Sequence, residues 1–157
     1  MAYDSRPETK AHIAEVSKAI LDIVNALTQR ALAHDKSKLI LPERRGFDEF
    51  TPKLKGSTYG SEEYKEFLAA LKPVLDHHYA ENRHHPEHHK DGIRDMTLVD
   101  LVEMFCDWRA ATLRHADGDI RKSIEINKGR FGYSEELASI FQNTARELWF
   151  GESAGGA

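Results

Sequence analysis

Ile13, Val16, Ile20, Ile23, Val24 and Leu27 follow one another at the three- and four-residue intervals of a helix face. The same spacing returns in Tyr64, Phe67, Leu68, Leu71, Val74 and Leu75. It returns again in Leu98, Leu101, Val102, Phe105 and Trp108, and in Leu137, Ile140, Phe141, Thr144 and Leu148. No stretch shows a useful length of the apolar–polar alternation of a half-buried strand, and no internal repeat is visible. The pattern therefore predicts an all-α fold, a single-domain bundle of five or six helices around one core over residues 1–150.

Local signals set the expected boundaries. Ser5-Arg6-Pro7-Glu8 reads as a capping box with proline at a permitted early position, opening a helix to about Ala33. Pro42 opens a short helix toward Phe50, and TPKLKGSTYG reads as a loop. A long helix is expected from Ser61 to Asn82, kinked or interrupted at Pro73. HHPEHHKDGIRD is turn-like, with Pro86 and Gly92 as breakers. Thr97 and Asp100 form a second capping signature for a helix through Arg114. Helices over 119–128 and 134–150 follow, and the small polar tail at 151–157 is expected to be disordered.

Composition narrows the function classes. A net charge of -4 gives no field suited to general nucleic-acid binding. The single Cys106 cannot form an internal disulfide, and its apolar surroundings predict an inert core thiol. MAYDSRPETK has no apolar signal core, and no run approaches the ~20 apolar residues of a membrane span. A soluble, cytoplasmic protein is the expectation.

The polar residues that demand explanation are histidines. DHHYAENRHHPEHHKD, residues 76–91, holds six of the nine in the chain. Elsewhere His12 borders the apolar face of the first helix, and His34 and Asp35 adjoin at its end. Asp107 lies one turn after Glu103 in a largely apolar helix. Singly, each has a plain structural explanation. His34 suits a helix C-terminus, Asp35 can cap the next turn, and Asp107 can pair with Arg109 or Arg114. The histidine-rich segment can equally be a loop that charges near pH ~6.5. Jointly, an imidazole, an imidazole–carboxylate pair and a later carboxylate form a mixed nitrogen–oxygen ligand set suited to first-row divalent metals.

The order His12, His34-Asp35, Asp107 on helices resembles the HD-domain superfamily of metal-dependent phosphohydrolases. HDKSK is similar to the His-Asp-x-Gly-Lys run of many members, with Ser37 where glycine is usual and Lys38 retained. HDKSK, HHYAENRHHPEH and EMFCDW together resemble, more narrowly, a family of small phage and bacterial proteins of unassigned function. Several branches of the superfamily carry extra histidines between the His-Asp pair and the last aspartate, for a second metal. By that resemblance one ion takes His12, His34 and Asp107 and the other His78 and His85, with Asp35 as bridge and His84 a close substitute for His85. His78 also continues the stripe of Leu71, Val74 and Leu75, so its ring should point inward, with Asn82 on the same side. His77 is expected at the surface or behind the ligands, and His88, His89 and His115 in solvent.

The resemblance implies a hydrolase acting on a nucleotide or other small phosphate ester through metal-activated water. One or two ions of Mn, Fe, Co, Ni or Zn would serve. Asp35, Lys38 and Arg83 are the expected catalytic residues, the two cations neutralising the phosphate. Glu43 or Glu103 would orient water or an imidazole. Lys128 and Arg130 are weaker candidates for gripping phosphate, and Tyr59, Phe131 and Tyr133 for stacking on a base. The pocket must come from the loops at 44–60, 83–96 and 115–133. Two other classes stay open: a di-iron oxygenase of the HD-like type, and a non-catalytic metal- or protein-binding phage module. A homodimer through a helix face is compatible with either.

Overall fold

The computed structural model describes residues 3–57, 61–114 and 118–151, and these are all-helical. Six α-helices follow in order: α1 (Arg6–Ala33), α2 (Glu43–Gly56), α3 (Glu62–Glu81), α4 (Leu98–Thr112), α5 (Ile120–Phe131) and α6 (Glu135–Trp149). Short 3-10 turns occupy Lys36–Leu39, Pro86–His88 and Gly92–Asp95. By their contacts the residues fall into two units, Met1–His34 and Asp35–Ala157. Tyr59, His115 and the tail from 152 onward lie outside the described residues.

The first unit is one uninterrupted 28-residue helix, as the periodicity predicts. Two expectations fail in it. Ser5 makes no side-chain cap, because its backbone is already helical, at φ -79° and ψ -8°, and not in the extended conformation of an N-cap. And no residue of the apolar stripe is buried within this unit, where a lone helix has nothing to pack against.

In the second unit the caps behave as read. Thr97 accepts from the Asp100 backbone, and Asp100 accepts from the Thr97 N–H in return. Ser61 and Ser134 cap α3 and α6 one way, accepting from the N–H of Tyr64 and of Leu137. The expected loop after Phe50 is instead the continuation of α2, which runs through Pro52 to Gly56. Proline removes one helical hydrogen bond and crowds the carbonyl one turn earlier, a local cost that the rest of the helix outweighs here. For the same reason α3 is one helix across Pro73.

The core lies among α4, α5 and α6. Met104, Phe105, Ile120, Ile124, Tyr133, Ala138, Phe141 and Ala145 form one buried cluster. Full burial of an aliphatic side chain such as Ile120 or Ile124 contributes about 1.5–3 kcal/mol. Phe105 stacks on Phe141 with ring centroids 4.7 Å apart. Cys106, expected inside, is exposed because it lies on the other side of α4 from Met104 and Phe105. Its thiol pKa is nonetheless raised, by partial desolvation and by the Glu103 charge, which keeps it protonated.

A separate layer joins α2 to α3. A Cβ on Gly46 would stand 2.4 Å from Val74 Cγ2, so only glycine lets the two helices approach this closely. That approach brings Glu43, at the first turn of α2, against the end of α3 where His77 and His78 lie. No described helix is long and apolar enough to cross a membrane.

Candidate metal centre

Asp35 is the one described non-glycine residue with positive φ, at 54°. Aspartate is among the few residues that adopt this left-handed conformation readily. The turn ends the α1 segment and starts the 3-10 turn of Ser37 and Lys38. It also places the Asp35 carboxylate among three imidazoles. Asp35 Oδ1 lies 3.4 Å from His78 Nε2 and 3.5 Å from His84 Nε2. His78 Nε2 is in turn 3.0 Å from His85 Nε2. One ligand atom from each of Asp35, His78, His84 and His85 lies within 4.8 Å of all the others.

Those spacings suit a cation better than a hydrogen-bond network. Ligand atoms about 2.1 Å from one ion stand about 3.0 Å apart at right angles and about 3.4 Å apart at tetrahedral angles. The observed separations fall in that interval or at its edge, while 3.4 and 3.5 Å are long for a hydrogen bond. Asp35 Oδ1 and His84 Nε2 are buried atoms that make no hydrogen bond, although both residues have other interactions. The donor set therefore fits a divalent metal.

The histidines are held from behind. Glu43, fully buried, has Oε2 2.8 Å from His78 Nδ1 and Oε1 2.9 Å from His77 Nδ1, and accepts from Ser37 Oγ at 2.8 Å. A carboxylate can only accept, so it fixes the His78 proton on Nδ1 and leaves the Nε2 lone pair facing Asp35. Burial alone would raise the Glu43 pKa, but the bonds from His77, Ser37 and His78 outweigh it and hold the group ionised. Asn82 completes the frame, its Nδ2 donating to Ser37 Oγ and to the His78 carbonyl, each at 2.8 Å. On the other side, buried Glu103 from α4 stands 3.2 Å from His84 Nδ1, the same arrangement with a second carboxylate.

Burial and neighbouring charge keep His78 and His85 neutral. The His78 pKa is lowered, by burial first and by the Lys38 charge second. That of His85 is pushed down to about 3, again by burial and then by His84 and His78. Neutral imidazole is the form that ligates.

Glu43→Gln isolates the part played by this frame. A glutamine amide has a single acceptor oxygen, so one of the two histidines loses its partner. Metal affinity should fall about 10–100-fold, with stoichiometry at saturation unchanged, in a chelator-competition titration.

The structure brings together some of the sequence-predicted residues and separates others. Asp35, His78 and His85 meet, and His84 joins them rather than replacing His85. An Asp107 carboxylate oxygen lies within 4.8 Å of one from Asp35, and its charge acts on His85. His34 caps α1, its N–H donating to the Arg30 carbonyl at 2.8 Å, and is joined to Asp35 by the chain. His12 does not belong with them. It sits exposed on the same unbroken helix as His34, about six turns or 33 Å earlier, so one chain cannot bring both to one ion.

Both expected phosphate cations are engaged. Lys38 Nζ donates to Asp35 Oδ2 at 2.7 Å, at the edge of the centre. Arg83 donates to both oxygens of Asp100, through Nε at 3.3 Å and Nη2 at 3.0 Å. Lys128 pairs with Glu135, and Arg130 with Glu87 at 2.7 Å. Tyr133 is core, its hydroxyl donating to the Ile124 carbonyl at 2.6 Å, and the Phe131 ring lies parallel to Trp108. Neither is presented for stacking on a base. His88 and His89 are not merely solvated, since they bond the carbonyls of Tyr79 and Arg83 and pin the turn that carries His84 and His85.

The sequence ranks His84 below His85 because both lie past the end of α3, where helical periodicity no longer orders side chains. It hides the Arg83–Asp100 pair because Asp100 already has an explanation as a cap. No curated protein and no solved structure matches the chain. A family model matches residues 1–148, and the chain therefore belongs to DUF5662, a family of unknown function.

Proposed function

We propose that the protein is a metal-dependent phosphohydrolase acting on a nucleotide or other small phosphate ester, with its ion held by Asp35, His78, His84 and His85. One observation carries this reading. Two imidazoles, each backed at Nδ1 by a buried glutamate, turn Nε2 toward the same oxygen of Asp35. Packing four buried ionisable groups and the half-buried Asp35 this closely costs stability unless something compensates, and a divalent cation supplies the compensation.

A divalent ion held there would polarise a phosphoryl oxygen and lower the pKa of a bound water to about 7. The chain's own groups then have distinct tasks. Asp35 and the three imidazoles orient the centre. Asp107, beside Asp35, adds carboxylate oxygens on one side and favours a second ion. Lys38 supplies a positive charge next to the ligand carboxylate, and an incoming phosphate can take over its ammonium from Asp35 Oδ2. Arg83 has no part in this scheme, because Asp100 holds it.

The test is metal content by elemental analysis on untagged protein, followed by phosphate release from a panel of nucleotides and sugar phosphates. Mn, Fe, Co, Ni and Zn are tried in turn, under air and under nitrogen. Bound metal with phosphate release under nitrogen is the expected result. Oxygen uptake without phosphate release would make the centre an oxygenase. Metal without either activity would leave a binding module.

A further inference from the structure

The second unit holds a cavity that none of the metal-binding residues lines. It lies between the 3-10 turn of Gly92–Asp95 and the turn from α5 into α6. Its volume is about 340 Å³, near the lower end of the roughly 300–1,000 Å³ of small-ligand sites. Ile93, Phe131 and Leu137 are its apolar walls. Each is half-buried and packed against the core cluster, so the walls are held in place before any ligand arrives. Tyr133 also lines the space, but its hydroxyl proton is committed to the Ile124 carbonyl. The charged residues of the lining are Asp91 and Arg94, both exposed. Among the described residues neither side chain has a hydrogen bond or an ion pair, and the two do not pair with each other. The cations at the end of α5 behave differently, Lys128 being paired with Glu135 and Arg130 with Glu87.

We propose that this cavity binds a free α-amino acid with an apolar side chain. Two opposite charges that line one cavity without meeting are completed by a ligand that carries the complementary two. An α-amino acid has a carboxylate for Arg94 and an ammonium for Asp91. On the carbon between them it has a side chain for the apolar walls. A guanidinium takes a carboxylate through two parallel hydrogen bonds, which fixes the direction of the ligand. Other small ligands answer the lining less well. A simple carboxylic acid leaves Asp91 without a partner, and a simple amine leaves Arg94 without one. A peptide end brings only one of the two charges. A polyanion such as a nucleotide would meet a single cation and be repelled by Asp91.

The test is isothermal titration calorimetry on the full chain with leucine and phenylalanine, and with glycine as the ligand that lacks a side chain. Leucine or phenylalanine should bind, one to a chain, and glycine clearly more weakly. Their N-acetyl and carboxamide forms mimic the two ends of a peptide, and each should bind about 10–100-fold more weakly than the free amino acid. Arg94→Gln should lose the preference for the free acid over the amide. Asp91→Asn should lose the preference for the free amine over the N-acetyl form. Binding should be the same before and after metal removal with a chelator, since the metal centre is no part of this site. No saturable binding by any of these probes overturns the proposal. So does glycine binding as tightly as leucine, or either modified form binding as tightly as the free amino acid, which would make the cavity a site for a peptide end. Loss of binding on chelation overturns it too, because the amino acid would then sit on the metal. Circular dichroism checks that both variants fold, and if one does not, the modified ligands on wild type decide alone.

Discussion

Asp35→Asn is expected to lower divalent-metal affinity by more than the about 10–100-fold that loss of an outer hydrogen-bond partner costs, while leaving the protein folded. Asparagine keeps the size of the side chain, and it is the other residue that tolerates the left-handed backbone found at φ 54°. What it removes is the charge at the point where His78, His84 and His85 converge. It also weakens the 2.7 Å ion pair with Lys38, which is partly exposed and contributes little to stability. Asp35→Ala adds a backbone penalty of roughly 1–2 kcal/mol, because alanine has no local hydrogen bond to favour that conformation. The pair of variants therefore separates ligand from turn. Metal competition should report a similar loss for both, and thermal unfolding should report a larger loss for alanine. If Asp35→Asn binds metal like wild type, the convergence of the three imidazoles is a packed polar core and the hydrolase reading falls with it.

Much of the centre is legible in the sequence for a simple reason: its ligands sit where helical periodicity or chain adjacency fixes their direction. His78 is readable because it continues the stripe of Leu71, Val74 and Leu75, and it is indeed buried. Asp35 is readable because it lies beside His34 at a helix end. His12 is the failure of the same logic. A residue bordering an apolar stripe is expected to face the core and its ligands, but His12 lies about six turns before His34 along one helix, too far for both to reach one ion. Periodicity shows that a helix has an apolar side and says nothing about what covers that side. Glu43 is harder to read. Its burial depends on Gly46 letting α2 approach Val74 on α3, a contact between positions far apart in the chain. The turn residues His84 to His89 are set by side-chain bonds to carbonyls, for which a one-dimensional pattern has no signal.

Arg83→Ala should destabilise the protein by about 3–5 kcal/mol, an effect far larger than the loss of a half-exposed arginine ordinarily causes. The reason lies with its partner. Asp100 is fully buried, and it also accepts from the Thr97 N–H at 3.0 Å and the Thr97 hydroxyl at 2.8 Å. Burial pushes the Asp100 pKa up, but the bonds from Arg83 and Thr97 more than reverse this and hold it well below the usual carboxylate range. Removing Arg83 leaves a buried charge without the guanidinium that balances it. Asp100→Ala removes the charge as well, and should cost less, about 2–4 kcal/mol from the lost cap and the lost charge-assisted bonds. The double variant should be no less stable than Arg83→Ala alone, since the stranded carboxylate is gone. The pH dependence follows in sign. Because the folded pKa lies below the unfolded one, the stabilisation is complete above the ordinary aspartate value near ~4 and drains away as pH falls below it. Arg83→Ala should flatten that acid limb, measured as melting temperature against pH. A phosphate-binding Arg83 predicts the opposite pattern, with unchanged stability and a raised KM. Unfolding of the single and double variants therefore decides whether this arginine belongs to the fold or to the substrate.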